Sequence, residues 1–207
     1  MRLKETIEAY RRNDPAARSG WEVFWLYNGL HATMYYRVAH WLYEHRLRFL
    51  GRWVSQFARR RTGIEIHPAA KIGRRLVIDH GTGIVIGATT EIGDDCLLYQ
   101  NVTLGGTGMT SDKRHPTLGN NVMVGSGAKV LGPFRVGDNA RIAANAVVLR
   151  EVPEGATVVG VPGRIVRLCG DKLDHIHTPD PVMLEIEELK RRMALLEEQI
   201  NDTKKET

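Results

Sequence analysis

Two short polar clusters in this 207-residue chain hold side chains suited to proton transfer and to binding a small charged molecule. The first cluster is Asp79-His80 and the second is Arg114-His115. An imidazole titrates near neutrality and can take a proton from a hydroxyl group. The planar fork of an arginine can donate two parallel hydrogen bonds to a carboxylate. We therefore look first for general-base chemistry, with His80 as the best candidate for the base.

Glu65 is the third candidate for the reaction chemistry. It lies 15 residues before His80, three short of the 18 residues that complete one coil of the repeat described next. The sequence therefore predicts that Glu65 lies in a neighbouring coil, close to the imidazole. A carboxylate there would fix the ring tautomer and favour the imidazolium that forms. The alternative is a surface carboxylate near a basic run.

The chain between residues 63 and 168 has a period of six, which is neither the helix period nor the strand period. The aliphatic positions of the repeat are Ile66, Ile72, Ile78, Ile86, Ile92, Leu98, Leu104, Leu118, Val124, Val130, Val136, Ile142 and Val148. Period six predicts one short strand and one turn for each hexad, with three hexads making one coil of a triangular prism. Short antiparallel strands are the less favoured alternative. Arg114 and His115 lie in an insertion between Leu104 and Leu118, which we expect to project from the prism.

The regions on either side of the repeat are predicted to be helical. Residues 1–62 form an N-terminal helical domain, in which one face is apolar: Leu30, Met34, Val38, Trp41 and Leu42. Its basic run, residues 46–61, fits a membrane surface or a buried helix face, and we favour the buried face. Residues 169–207 form a linker and a C-terminal helix with a heptad seam at Val182, Ile186, Leu189, Met193, Leu196 and Ile200. We expect a parallel coiled coil between identical chains there, and a helix packed on its own prism is the alternative.

Composition excludes several classes of protein. Two cysteines cannot build a disulfide framework or a four-thiolate zinc site. No apolar run is long enough to span a membrane, and the N-terminus has no secretory signal, so we expect a cytoplasmic location. The net charge of +5 attracts polyanions such as nucleic acid or a phosphate-bearing cofactor. We expect neither nucleic acid nor a membrane as partner.

Four segments of the repeat region, IEIHPAAKIGRRLVIDHGTGIVIGATTEIGDD, NVTLGGTG, DKRHP and VVGVPGRIV, are specific enough to indicate a family. Together with the preceding NGLHATMYYRVAHWLY, they resemble serine O-acetyltransferases, which are hexapeptide-repeat acyltransferases. The resemblance covers roughly residues 10 to 168. It implies an α+β protein with N-terminal helices followed by a left-handed parallel β-helix, assembled as a trimer with each active site between two prisms. It also implies transfer of acetyl from acetyl-CoA to the hydroxyl of L-serine, giving O-acetyl-L-serine for cysteine biosynthesis.

The resemblance also implies roles for individual residues. It makes His80 the general base and Glu65 its carboxylate partner, although the family pattern has Asp where this chain has Glu65. It assigns His115 to the substrate or the developing oxyanion. Asp79 and, from the NDPA segment, Asp14 would bind the serine ammonium.

Arg114 would bind the serine carboxylate, so the set of charged groups would select a free amino acid. For CoA, the implied contacts are Gly105, Gly106, Thr107, Ala128, Lys129, Ala146 and Arg164. Acetyl-CoA is expected as co-substrate, with no metal and no covalent acyl-enzyme, because neither cysteine lies in an activating motif.

Three alternatives remain at this point. A hexapeptide-repeat acetyltransferase acting on a sugar or another hydroxylated acceptor would share the prism. A prism-shaped carbonic anhydrase would need three zinc-binding histidines, and a non-catalytic scaffold would need no active site. For assembly we expect a homotrimer, with a hexamer as the alternative, because only about 62 residues precede the prism. We expect no complex with cysteine synthase through a C-terminal Ile, because this chain ends in Lys204-Lys205-Glu206-Thr207.

Overall fold

The structure is a computed structural model, and it describes residues 2–109, 112–168, 171–172 and 189–193. The chain divides into two units, Met1–Lys172 and Leu173–Thr207. In the second unit, residues 189–193 are helical, and Leu189 and Met193 are exposed. The other heptad positions, Val182, Ile186, Leu196 and Ile200, lie outside the described residues. The coiled coil therefore stays a prediction.

Four helices precede the repeat region: α1 Leu3–Asn13, α2 Gly20–Leu26, α3 Asn28–Glu44 and α4 Arg48–Thr62. Ser19 begins α2, because its side-chain oxygen accepts a hydrogen bond from the backbone N–H of Glu22 at 3.2 Å. Helix α4 ends at Gly63, whose φ of 73° gives the left-handed conformation usual after a helix. Local sequence therefore determines these helix boundaries.

The predicted apolar face of α3 is only partly buried. Leu30 is fully buried, whereas 54% of Val38 and 56% of Trp41 are exposed in the single chain. The expectation that α4 buries its apolar face is wrong for the large side chains, since Phe49 is 81% and Trp53 60% exposed. Helices α3 and α4 instead approach closely at Gly51, where a Cβ would lie 2.8 Å from the carbonyl oxygen of Ala39. Large side chains would hold the two helices too far apart for this contact.

Short strands form three faces of a prism, which we call faces A, B and C. Face A contains β1 Glu65–Ile66, β4 Val85–Ile86, β7 Thr103–Gly105, β10 Lys129–Leu131 and β13 Val147–Val148. Face B contains β2 Lys71–Ile72, β5 Glu91–Ile92, β8 Thr117–Leu118 and β11 Arg135–Val136. Face C contains β3 Val77–Ile78, β6 Leu97–Leu98, β9 Met123–Val124, β12 Arg141–Ile142, β14 Thr157–Val159, β15 Arg164–Leu168 and β16 Asp171–Lys172. Strands of successive coils pair in parallel, and only β14, β15 and β16 pair antiparallel.

The aliphatic positions of the hexads form the core of the prism. In face A, Ile66 pairs with Ile86, which pairs with Leu104, and the column continues to Val130 and Val148. All thirteen aliphatic positions are at most 7% exposed. Burial of each such side chain stabilises the fold by roughly 1.5–3 kcal/mol. The six-residue prediction is therefore confirmed.

Two of the prism's corners are longer than the rest. Residues 79–84 join β3 to β4 at the edge between faces C and A, where four residues, 99–102, suffice in the next coil. Residues 106–116 join β7 to β8 at the edge between faces A and B, where four residues, 87–90, suffice one coil earlier. We call these the C/A edge and the A/B edge. The first contains Asp79 and His80, and the second contains Arg114 and His115.

The helical region rests on the first coil of the prism. The hydroxyl of Tyr10 accepts a hydrogen bond from the backbone N–H of Ile78 at 3.1 Å. A Cβ at Gly29 would lie 2.1 Å from the carbonyl oxygen of Ile78, so α3 can come this close only with glycine there. The hydroxyl of Tyr36 donates to the carbonyl of Ala70 at 2.6 Å. These contacts hold the end of α1 beside the C/A edge.

Candidate active site

His80 stands at the C/A edge with a left-handed backbone conformation. Its φ is 57°, and the next residue, Gly81, also has a positive φ of 78°. Asn101 and Asn145 have a φ of 58° at the same edge in later coils, so this conformation belongs to the corners of the repeat, and histidine is one of the residue types enriched in it. The His80 side chain is 75% exposed, and its Nε2 lies 3.9 Å from Oδ1 of Asp79. The imidazole is thus open to a substrate.

Asp14 is held beside this histidine by two hydrogen bonds. Its Oδ1 accepts from the backbone N–H of Ala16 at 2.8 Å, and its Oδ2 accepts from the hydroxyl of Tyr27 at 2.5 Å. The hydrogen bond from Tyr27, then the one from Ala16, lowers the pKa of Asp14, and the nearby His80 adds to the lowering. The structure therefore brings Asp14 and Asp79 close to His80, and their roles in substrate binding stay predictions.

Tyr27 is a member of this site that sequence reasoning missed. Desolvation and then the hydrogen bond to Asp14 raise the pKa of Tyr27 to about 12, with a smaller effect from Asp79. Its phenol therefore keeps its proton and donates it in the hydrogen bond to Asp14. The ring packs edge-to-face on Tyr10 at a centroid distance of 5.7 Å. No spacing marks Tyr27, because it lies at the junction of two helices.

At the A/B edge, the end of the insertion packs on the prism instead of projecting from it. His115 is only 6% exposed, and a Cβ at Gly87 would come within 1.9 Å of its ring. Nζ of Lys113 donates to the carbonyl of Thr89 at 2.7 Å, and the Arg114 side chain lies over Gly106. The expectation of a projecting insertion is therefore wrong for residues 113–115. Backbone and side-chain hydrogen bonds to the preceding coil hold this segment down.

Thr89 makes most of these hydrogen bonds, and sequence reasoning missed it too. Its Oγ1 accepts from the backbone N–H groups of Arg114 and His115, each at 3.1 Å, and lies 2.8 Å from Nδ1 of His115. Burial lowers the pKa of His115, and the charges of Arg114 and Lys113 lower it further. The ring is therefore neutral at pH 7. No spacing points to Thr89, because its partners lie beyond the next three strands of the chain.

Glu65 makes its ion pair with Arg59, whose Nε is 3.2 Å from Oε2 of Glu65. Glu65 begins β1 on face A and pairs with Val85, which directly follows the long corner containing His80. The carboxylate therefore belongs to the coil next to that corner. Its predicted hydrogen bond to the imidazole stays a prediction.

His80 and His115 stand at opposite edges of face A. Strands β1, β4, β7, β10 and β13 of face A lie between the corner that contains His80 and the corner that contains His115.

The residues expected to contact CoA fall into two groups. Gly105 and Lys129 lie on face A, and Nζ of Lys129 donates to the carbonyl of Asn101 at 2.5 Å. The methyl groups of Ala128 and Ala146 are fully buried, so contact through those side chains is excluded, because the hexad corner turns them inward. Their backbones offer no free group either, because the N–H and carbonyl groups of both residues are hydrogen-bonded within the prism.

The other three residues expected to contact CoA are Gly106, Thr107 and Arg164. Gly106 and Thr107 begin the insertion, and the backbone N–H of Thr107 donates to the carbonyl of Arg114 at 3.2 Å. Arg164 begins β15 on face C. The contacts of CoA with Gly105, Gly106, Thr107, Lys129 and Arg164 stay predictions, whereas Ala128 and Ala146 are too buried to make the contacts expected of them.

Neither a metal site nor an activated thiol is present in the described part of the chain. No group of three or more histidine, cysteine, aspartate or glutamate side chains is arranged there to hold a metal ion. Cys96 is a free, buried thiol, and burial raises its pKa to about 11, so it is a poor nucleophile. None of the described helices is long and apolar enough to cross a membrane.

Comparison with known proteins identifies first the class and then the family. Residues 115–150 match the bacterial transferase hexapeptide (six repeats), so the prism is that of a hexapeptide-repeat transferase. The chain is 54% identical over 190 residues to a serine acetyltransferase of Synechococcus elongatus, covering 90% of this chain and 78% of that protein. It is 52% identical over 198 residues to a serine acetyltransferase of Bacillus pumilus, covering 94% and 91%. The chain belongs to the serine acetyltransferase family.

Solved structures support the same assignment. A serine acetyltransferase in complex with cysteine superposes with a TM-score of 0.79 at 44% identity, covering 80% of this chain and 64% of that one. Serine acetyltransferase from Neisseria gonorrhoeae gives a TM-score of 0.79 at 35% identity, covering 86% and 69%. This chain therefore spans about two thirds of the solved chains. The predicted left-handed β-helix preceded by helices is confirmed.

Proposed function

We propose that this chain transfers the acetyl group of acetyl-CoA to the hydroxyl of L-serine, giving O-acetyl-L-serine and CoA, as a step in cysteine biosynthesis. Family membership supports this reaction, since the relatives at about half identity are serine acetyltransferases. Among solved relatives, one is a complex with CoA and another a complex with serine. The observation that carries the proposal is the grouping of Asp14 and Asp79 around the exposed imidazole of His80.

In the proposed reaction, His80 takes the proton from the serine hydroxyl as that oxygen attacks the thioester carbonyl. The carbon–sulfur bond breaks, and the imidazolium returns the proton to the departing thiolate. Such general-base assistance contributes roughly 10²- to 10⁴-fold to the rate. Glu65 would stabilise the imidazolium from the neighbouring coil.

Charged groups on the two edges would orient the amino acid. Asp14 and Asp79 bind the ammonium group at the C/A edge, where Tyr27 keeps Asp14 ionised and fixed. Arg114 binds the carboxylate from the A/B edge, and His115 donates a hydrogen bond to the substrate or to the developing oxyanion. A sugar acceptor offers neither charge, so these groups favour a free amino acid over a sugar.

The acceptor is tested by thiol release from acetyl-CoA with a panel of amino acids and sugars. We expect turnover with L-serine and little or none with sugars or with O-methylserine, which lacks the free hydroxyl. Turnover with a sugar and none with serine would contradict the proposal. It would then favour the alternative, a hexapeptide-repeat acetyltransferase with another hydroxylated acceptor.

We further propose that the enzyme works as a homotrimer with each site shared between two prisms, because His80 and His115 occupy opposite edges of face A. The test is to co-express a His80→Ala chain with a His115→Ala chain. If sites are shared, random assortment restores about a quarter of the sites, although each variant alone is inactive. Failure to restore activity, with trimers verified by light scattering, would contradict a shared site.

Three expectations from the sequence belong to this proposal without bearing on the chemistry. They are a cytoplasmic location, which suits the free thiol of Cys96, the C-terminal coiled coil, and no complex with cysteine synthase through a C-terminal Ile. A titration with cysteine synthase tests the last of them. Tight binding that disappears when the C-terminal residues are removed would contradict it.

A further inference from the structure

Thr89 is placed to control the protonation of His115. It lies at the A/B edge one coil before His115, between β4 and β5. Its Oγ1 accepts two hydrogen bonds, from the backbone N–H groups of Arg114 and His115, both at 3.1 Å. A threonine hydroxyl has two acceptor lone pairs and one donor hydrogen. Both lone pairs are therefore occupied, and only the hydrogen remains free.

That hydrogen has one partner within reach, which is Nδ1 of His115 at 2.8 Å. The backbone N–H of Thr89 also points at the same nitrogen, at 3.3 Å. Two donors thus converge on Nδ1, and a hydrogen on Nδ1 would collide with both. Nδ1 is consequently an acceptor, and the proton of the neutral ring must be on Nε2.

The charges around His115 also oppose a positive ring. Arg114 and Lys113 lie on the same segment, and their charges lower the pKa of His115 after burial has done so. His67 faces this segment from the first coil, and burial lowers the pKa of His67 to about 4. Glu91 is the acidic group nearby, and its carboxylate is 3.8 Å from Nζ of Lys113 and 3.6 Å from Nζ of Lys71. Its charge is therefore shared between two lysines.

We propose that Thr89 is a positioning residue that holds His115 as the neutral tautomer protonated on Nε2. The A/B edge then supplies a hydrogen-bond donor to the substrate or oxyanion, and it cannot supply a second general base. The same hydroxyl also fixes the backbone of Arg114, so one side chain orients both substrate-binding groups. The part that concerns the substrate rests on the proposed function, whereas the tautomer itself does not.

The test is nitrogen NMR of the full-length protein with ¹⁵N-labelled histidine, using His115→Gln to assign the His115 signals. In the unmodified protein we expect an acceptor-type Nδ1 and a protonated Nε2 at pH 7. A protonated Nδ1, or a cationic ring at pH 7, would overturn the inference. This measurement needs no variant of Thr89 and no catalytic activity.

Variants of Thr89 test whether its hydroxyl group is what sets the protonation of His115. Thr89→Val keeps the shape and removes the hydroxyl, so we expect His115 to titrate at higher pH and turnover to fall roughly tenfold, the worth of one hydrogen bond of about 1.4 kcal/mol. Thr89→Ser should restore both. The matched control is Thr90→Val, because Thr90 is fully buried and its hydroxyl makes no hydrogen bond to any residue the structure describes.

These outcomes distinguish the positioning role of Thr89 from the proposed acetylation of serine. An unchanged His115 titration and unchanged turnover in Thr89→Val would refute the positioning role, while serine acetylation by the unmodified protein would stand. A shifted titration with unchanged turnover would confirm the contact but refute the role of His115 as donor. Absence of serine acetylation in the unmodified protein would refute the proposed function and leave the tautomer assignment intact.

Discussion

The two long corners of the prism hold histidines in opposite environments. At the C/A edge, His80 has an exposed ring and two carboxylates nearby. At the A/B edge, His115 is buried, flanked by cations and hydrogen-bonded on Nδ1. The same residue type is thereby suited to two tasks, accepting a proton at one edge and donating a hydrogen bond at the other. Environment, not residue type, decides the role.

The edges also differ in charge in the way that a zwitterionic substrate requires. The carboxylates Asp14 and Asp79 lie at the C/A edge, and Arg114 lies at the A/B edge. An amino acid bound between the C/A edge of one prism and the A/B edge of another would meet opposite charge at each end. Four experiments test whether the two edges differ in this way.

The largest effect is expected for His80→Asn, which removes the base at the exposed edge. Asparagine accepts a positive φ readily, so the backbone strain does not increase and the melting temperature should not fall. We expect kcat to drop by roughly 10²- to 10⁴-fold. Thiol release and thermal melting measure the two quantities. Retention of more than a tenth of the activity would exclude His80 as the base.

Arg114→Lys tests the role of the positive charge at the A/B edge. Lysine keeps the charge but loses the two parallel hydrogen bonds to a carboxylate, so we expect the KM for serine to rise roughly 10- to 100-fold. The KM for acetyl-CoA should not change. The matched control is Arg135→Lys, because Arg135 lies on face B and pairs with Asp138 at 3.1 Å. Equal effects of the two variants would argue against a role for Arg114 in binding serine.

Tyr27→Phe tests whether the hydrogen bond from Tyr27 supports the carboxylate of Asp14 at the C/A edge. Loss of the hydroxyl frees Oδ2 of Asp14, and we expect the KM for serine to rise roughly tenfold, since a hydrogen bond to a charged group stabilises by about 1.5–3 kcal/mol. Turnover at saturating serine should change little. Tyr35→Phe serves as control, because Tyr35 packs on Phe57 in the helical region. A normal KM in Tyr27→Phe would remove Asp14 from the site.

The smallest effect is expected for His67 at the A/B edge, and it concerns the free energy of unfolding as the pH falls. The folded pKa of His67, about 4, lies below the unfolded value of 6.5, so the unfolded chain binds the extra proton first. Stability is therefore complete above pH 6.5 and is lost as the pH falls from 6.5 towards 4. We expect His67→Asn to flatten this part of the curve, measured by urea unfolding between pH 4 and 7.5. Asparagine can replace Nδ1 as acceptor for the backbone N–H of Ala69. An unchanged slope would show that other groups cause the acid sensitivity.

Much of the fold was predictable because the repeat is local. Each hexad places one aliphatic side chain inward, and columns such as Ile66, Ile86 and Leu104 follow once the period is known. The apolar faces of α3 and α4 were predicted less well, since helical spacing alone does not say which side meets a neighbour. Close helix contact at Gly51 left Phe49 and Trp53 exposed.

The six-residue pattern was enough to predict the prism, and motifs with the family resemblance supplied the candidate site residues His80, His115, Asp14, Asp79 and Arg114. Which histidine is open and which is buried became clear only from the folded chain. It alone revealed Tyr27 and Thr89, whose partners lie 13 and 26 residues away in the chain. The physical reason is the separation, along the chain, of the residues that interact. A repeating backbone is set by neighbours within one hexad, whereas hydrogen bonds between a helix junction and a loop, or between two coils, exist only after the chain has wound past itself.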